Sequence, residues 1–143
     1  MSDETHDGAT TVLVVEDDFD LRDALVPILE YEGHRVVSAA NGKEALERLH
    51  AMAPPSLILL DLMMPVMSGE EFRAEQLRDP ALASIPVVIV SAHASAEDRA
   101  RRLGAAGCVR KPFEVDDLLE QVRRSSKPAA AATAPSSATL RRP

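Results

Sequence analysis

Five short runs of apolar residues recur along the chain, and a stretch with helical spacing follows each one. The runs are Thr11–Val15, His34–Ala39, Leu57–Leu60, Pro86–Ser91 and Cys108–Arg110. Their lengths suit strands rather than buried helices. Helical patterns cover about Phe19–Tyr31, Gly42–Ala51, Gly69–Arg78, Ala96–Leu103 and Glu114–Arg124. In the first helix, Leu21, Leu25, Ile28 and Leu29 form an apolar stripe, and Val115, Leu118, Leu119 and Val122 do so in the last. Pro27 interrupts the first helix, which is kept because the periodicity continues past it and Gly33 supplies a stop.

Strands that alternate with helices imply a parallel sheet covered on both faces, with right-handed crossovers. The first, third and fourth runs are the most apolar and belong at the centre. The second and fifth are more polar and suit the edges. The expected fold is therefore α/β, a (βα)5 flavodoxin-like sheet of order 2-1-3-4-5. Sheets of this kind bind ligands beyond the carboxyl ends of the strands, where the order reverses between strands one and three.

Charge and composition narrow the function classes. All 23 acids precede Ser125, against 13 of the 16 Lys and Arg, so residues 1–124 carry −10. Such a surface repels phosphate backbones, which argues against nucleic acid as the main partner. The single cysteine, Cys108, excludes an internal disulfide and a thiolate metal cluster. No membrane span or secretory signal is expected, and the default location is cytoplasmic. Residues 1–10 read as a flexible leader, 11–124 as one folded domain, and 125–143, rich in Ala, Pro and Ser, as a disordered tail.

The residues at the expected strand ends carry the chemistry. Glu16, Asp17 and Asp18 follow strand one, Asp61 follows strand three, Ser91 and Ala92 end strand four, and Lys111-Pro112 follows strand five. Carboxylates held together repel unless a cation neutralises them, and Mg²⁺ suits hard oxygen ligands. A metal and a lysine facing one carboxylate make a receptor for a phosphoryl group. Taken singly, the acidic triplet reads equally well as a helix start. The bland readings of Asp61 as a turn residue, Ser91 as an ordinary strand end and Lys111 as a surface lysine are disfavoured by their positions directly after apolar strands.

Val14-Val-Glu-Asp-Asp18, Leu59-Leu-Asp-Leu-Met-Met-Pro65 with Gly69, Val90-Ser-Ala92 and Lys111-Pro-Phe113 resemble the four motifs of bacterial two-component response-regulator receivers. The resemblance spans about residues 11–124. It implies that Asp61 is the phospho-acceptor, that Asp17 binds Mg²⁺ directly, and that Glu16 acts through a metal-bound water. It also makes the main-chain carbonyl of Met63 the third protein ligand. Ser91 and Lys111 would hold the phosphoryl group, with a Lys111–Pro112 bond that is commonly cis. The implied donor is a sensor histidine kinase or histidine phosphotransfer protein. Output would pass through the face of helix four, strand five and helix five to a protein target, from a monomer or weak dimer.

One departure stands out. The family's aromatic switch residue in strand five is here Cys108, so another side chain or the loop after Ser91 must report phosphorylation. His93 lies in that loop, either as a modulator of acyl-phosphate hydrolysis or as an ordinary exposed histidine. The chain leaves no room for a second folded domain, so a stand-alone receiver is expected, and the resemblance implies a signalling protein rather than an enzyme. The alternatives are an unphosphorylated pseudo-receiver acting as a docking adaptor and an aspartate-nucleophile phosphatase. Met63 opposes the phosphatase, standing where that chemistry usually places a second Asp.

Overall fold

The computed structural model describes residues 10–128. Five strands and five helices alternate: β1 Thr11–Val15, α1 Phe19–Tyr31, β2 Arg35–Ala39, α2 Gly42–His50, β3 Leu57–Leu60, α3 Gly69–Arg78, β4 Val87–Ser91, α4 Ala96–Arg102, β5 Gly107–Arg110 and α5 Val115–Ser125. All strand pairs are parallel, in the order β2-β1-β3-β4-β5. Topology and element types agree with the sequence expectation.

Strand side chains alternate between two cores because successive residues point to opposite faces. Val12, Val14, Leu57, Leu59, Val88 and Val90 pack beneath α1 and α5, against Leu25, Leu29, Leu118 and Val122. Leu13, Val15, Ile58, Leu60, Val87 and Ile89 pack on the opposite face against Ala45, Leu49, Phe72 and Ala100 of α2, α3 and α4. Burial on both faces explains why β1, β3 and β4 are apolar without alternation. The edge strands β2 and β5 are only half-buried.

Boundaries differ from expectation by a residue or two, each for a local reason. Pro86 has no N–H, so β4 begins at Val87, although the Pro86 carbonyl accepts from Ile58 N at 3.0 Å. Glu114 is the N-cap of α5 rather than its first turn, and Leu103 is the C-cap of α4. Pro27 lies inside an otherwise continuous α1, and Gly33 follows it with φ +97°. The folded part reaches past Arg124. Ser125 closes α5, and Lys127 donates from its backbone to the Ser56 carbonyl at 3.0 Å and from Nζ to Ser84 Oγ at 3.1 Å. Thr10, assigned to the leader, accepts from Arg35 N at 2.7 Å. The leader and tail otherwise fall on residues 1–9 and 129–143, outside the described residues.

A buried polar bridge went unread in the sequence. Arg73 and Gln76 of α3 are 6% and 0% exposed. The Arg73 guanidinium donates to the carbonyls of Leu103 (2.9 Å) and Gly104 (3.1 Å) at the end of α4, and to Gln76 Oε1 (2.8 Å). Gln76 Nε2 donates in turn to the carbonyls of Leu82 and Ile85. Burial pulls the Arg73 guanidinium below its ordinary pKa. The negative end of α4 supplies a compensating field. Arg73→Leu should lower the unfolding free energy by about 1–3 kcal/mol, since it strips the donor from the buried Gln76 Oε1 and from two carbonyls at the end of α4. Urea unfolding checks this, and a loss under about 0.5 kcal/mol would mean that water replaces the guanidinium.

Candidate functional site

The site is built where β1, β3, β4 and β5 end together. Parallel pairing sets Val15 opposite Leu60, and Asp61 N donates to the Val15 carbonyl at 3.0 Å. Glu16 and Asp61 therefore leave adjacent strands side by side. Both are buried, at 3% and 5% exposure, whereas Asp17 is exposed. Carboxylate oxygens of Glu16, Asp17 and Asp61 lie within 4.8 Å of one another. Asp18, the fourth acid, is not part of this cluster. Its Oδ1 caps α1, accepting from Asp20 N (3.0 Å) and Leu21 N (3.2 Å). The two readings of the acidic triplet are thus divided among its members.

Lys111 closes the cluster. Its Nζ lies 2.9 Å from Glu16 Oε1 and 3.5 Å from Asp61 Oδ2, so it leans toward the buried glutamate. The Lys111–Pro112 peptide is cis. Burial pulls the Lys111 ammonium down, but its bond to Glu16 and the charges of Glu16 and Asp61 outweigh this and hold it above its ordinary value. Glu16 moves the other way. Desolvation pushes its carboxyl up to about 7, against the opposing pull of Lys111 and the Asp18 N–H, and the Asp61 charge adds to the rise.

The loop after β3 is held tightly. Met63 N donates to Asp61 Oδ1 at 3.2 Å, and the Met63 side chain is exposed. Gly69 N donates to the Leu62 carbonyl at 3.0 Å, and a Cβ on Gly69 would lie 2.3 Å from the Asp61 carbonyl oxygen. No larger residue allows that approach of α3 to the end of β3 without moving Asp61. Ser68 caps α3 in a reciprocal box with Glu71.

Ser91 is fully buried at the end of β4, and Ala92 is exposed beside it. His93 N donates to Ser91 Oγ at 3.1 Å. The His93 ring accepts at Nδ1 from Ser95 N (3.1 Å), with Ser95 Oγ at 3.0 Å. Arg99 Nε donates to Ser95 Oγ (3.2 Å), and Arg99 also bonds both Glu70 carboxylate oxygens at 3.3 Å. A continuous polar chain thus runs from Ser91 to α4 and α3. Cys108 sits opposite Ile89 in β5, half-buried against the α2–α4 core. Burial raises its thiol above the ordinary range.

The full sequence matches the response regulator receiver domain family over residues 12–123. The chain belongs to the response regulator receiver family. This receiver is 37% identical to the transcriptional regulatory protein CpxR homolog of Haemophilus influenzae over 123 residues, covering 82% of this chain and 52% of that protein. It is 36% identical to the phosphate regulon transcriptional regulatory protein PhoB of Escherichia coli, covering 80% and 51% respectively. The receiver therefore spans about half the length of these curated relatives. Among solved structures, the Vibrio cholerae chemotaxis protein CheY4 superposes with a TM-score of 0.75 at 30% identity, covering 81% of this chain and 98% of that one. A response regulator receiver protein from Pseudomonas putida gives 0.75 at 29%, covering 81% and 97%. Among the described residues, no helix is long and apolar enough to cross a membrane.

The structure brings Glu16, Asp17, Asp61 and Lys111 together and sets Ser91 at the same strand ends. It leaves the His93 ring bonded within the β4–α4 loop and Cys108 half-buried in β5, and neither belongs to the carboxylate cluster. Because the folded, metal-free receiver keeps a proton on Glu16 that the unfolded chain releases near 4.5, this group's stabilising contribution is full below about pH 4.5. It is lost as pH rises to about 7. Relative to Glu16→Gln, the metal-free receiver should lose stability across that window. Parallel denaturation curves from pH 4.5 to 7 would remove the basis for the raised carboxyl.

Proposed function

We propose that the receiver accepts a phosphoryl group on Asp61 from the phosphohistidine of a sensor histidine kinase or histidine phosphotransfer protein, and signals by phosphorylation-dependent protein binding. The observation that carries this reading is the convergence of three carboxylates with Lys111 at the strand ends. The donor set fits a hard divalent cation, because three carboxylates, two of them buried, offer oxygens within 4.8 Å of one another and such a cation offsets their mutual repulsion. Asp17, Asp61 and the Met63 carbonyl would hold Mg²⁺, with Glu16 behind them. Bound there, the ion supplies positive charge to the phosphoryl oxygens during transfer.

The chain's own residues do the rest. A carboxylate oxygen of Asp61 forms the new bond to phosphorus as the bond to the donor imidazole nitrogen breaks, and the imidazole leaves with the bonding pair. Lys111 and the Ser91 hydroxyl bind the transferred oxygens. Water later cleaves the acyl phosphate, restoring the carboxylate and releasing phosphate. One such cycle describes a signalling protein rather than a turnover enzyme. A cytoplasmic site of action and a target on the α4–β5–α5 face accord with this role. The acidic surface speaks against direct contact with nucleic acid.

Incubation with Mg²⁺ and acetyl phosphate should add about 80 Da, and Asp61→Ala should remove the adduct. An adduct that survives in the mutant would refute the assignment, and no adduct in either would favour the docking adaptor.

The loop after Ser91 supplies the readout that Cys108 lacks a ring to provide. When the Ser91 hydroxyl turns to the phosphoryl group, His93 N loses its acceptor, and the His93–Ser95–Arg99–Glu70 chain must re-pair. Amide spectra with and without a beryllium fluoride phosphoryl analogue should change most over residues 92–99. Equal changes at Cys108 would contradict this route.

A further inference from the structure

We infer that Arg22 is a positioning residue for the metal-binding carboxylates, acting through the backbone of Glu16. The inference rests on the proposed Mg²⁺ site. Arg22 lies in the first turns of α1, amid Glu16, Asp17, Asp18, Asp20 and Asp23. A guanidinium there has five carboxylates nearby in sequence. Yet among the described residues it forms an ion pair with none of them, and its Nη1 donates to the neutral Glu16 carbonyl at 2.7 Å. The centroid of the Phe19 ring stands 5.4 Å from the guanidinium carbon, within cation–π range.

This bond matters because of what it completes. The β1–α1 turn consists of Glu16, Asp17 and Asp18. Glu16 N is fixed to the Ala39 carbonyl at 3.0 Å, and Asp18 is fixed as the helix cap. The Glu16 side chain is held at both oxygens, by Lys111 and by Asp18 N. Asp17 is exposed, and among the described residues its carboxylate makes no hydrogen bond. The backbone from which it projects is therefore the part that can be fixed. Arg22 grips the Glu16–Asp17 peptide by its oxygen, so it holds the Asp17 backbone in place beneath the cluster without touching the ion site. Groups that orient metal ligands in this indirect way commonly contribute 10–100-fold to affinity.

Positioning and simple charge have opposite signs, which makes the inference testable. Removing a cation beside an anionic site relieves repulsion of Mg²⁺ and should by itself tighten binding. Removing a positioning group should weaken it. Isothermal titration of Mg²⁺ into the full chain, well below the thermal midpoint of each metal-free variant, separates the two. Arg22→Ala is expected to bind Mg²⁺ about tenfold more weakly, with Arg22→Lys recovering most of the loss because it keeps a donor. Binding by Arg22→Ala as tight as, or tighter than, that of the unaltered chain overturns the inference. If the unaltered chain binds no Mg²⁺, the metal site itself fails, a different outcome from a failure of Arg22.

Discussion

The in-register pairing of β1 with β3 is the constraint on which the site depends. Val15 opposite Leu60 puts the first residue beyond each strand, Glu16 and Asp61, at neighbouring positions on one rim. A slip of one residue would turn the apolar set of either strand to the wrong layer, so both cores guard the register. The spacing of the carboxylates is thus secured by hydrophobic burial some distance below them.

That arrangement is electrostatically unfavourable, and the surrounding structure offsets it in part. Lys111 bonds Glu16 and faces Asp61, backbone N–H groups reach Glu16 and Asp61, and Arg22 holds the Glu16 carbonyl. Glu16 still sits with a carboxyl pushed up to about 7. The proposed cation would relieve this by neutralising the oxygens. Packing is equally tight at Gly69, where α3 approaches the end of β3 so closely that a methyl group has no room.

Strand and helix types, the 2-1-3-4-5 order and the grouping of Glu16, Asp17, Asp61 and Lys111 were legible because each is written locally. Apolar runs mark the central strands, and acids or a lysine follow directly at their ends. Other features left no such mark. Arg73 reads as one more charged residue on an exposed face of α3, and its burial follows from the end of α4 folding over it. Nothing near Arg22 distinguishes a carbonyl partner from the carboxylates around it. Ser68 with Glu71 did carry a capping signature that can be found by spacing alone.

The sequence by itself determined which residues form unbroken apolar runs and which recur at period 3.6, and therefore the layers, the sheet and the rim where charges collect. It also determined the chemistry available at that rim, since carboxylate, hydroxyl and ammonium are properties of residue type. Only the tertiary structure decided which acid caps a helix and which joins the cluster, that Lys111 leans toward Glu16, and that a polar chain leads from Ser91 to Arg99. These outcomes depend on distances between segments far apart in the chain, and hydrogen bonding and Coulomb interactions discriminate over fractions of an ångström that no local pattern encodes.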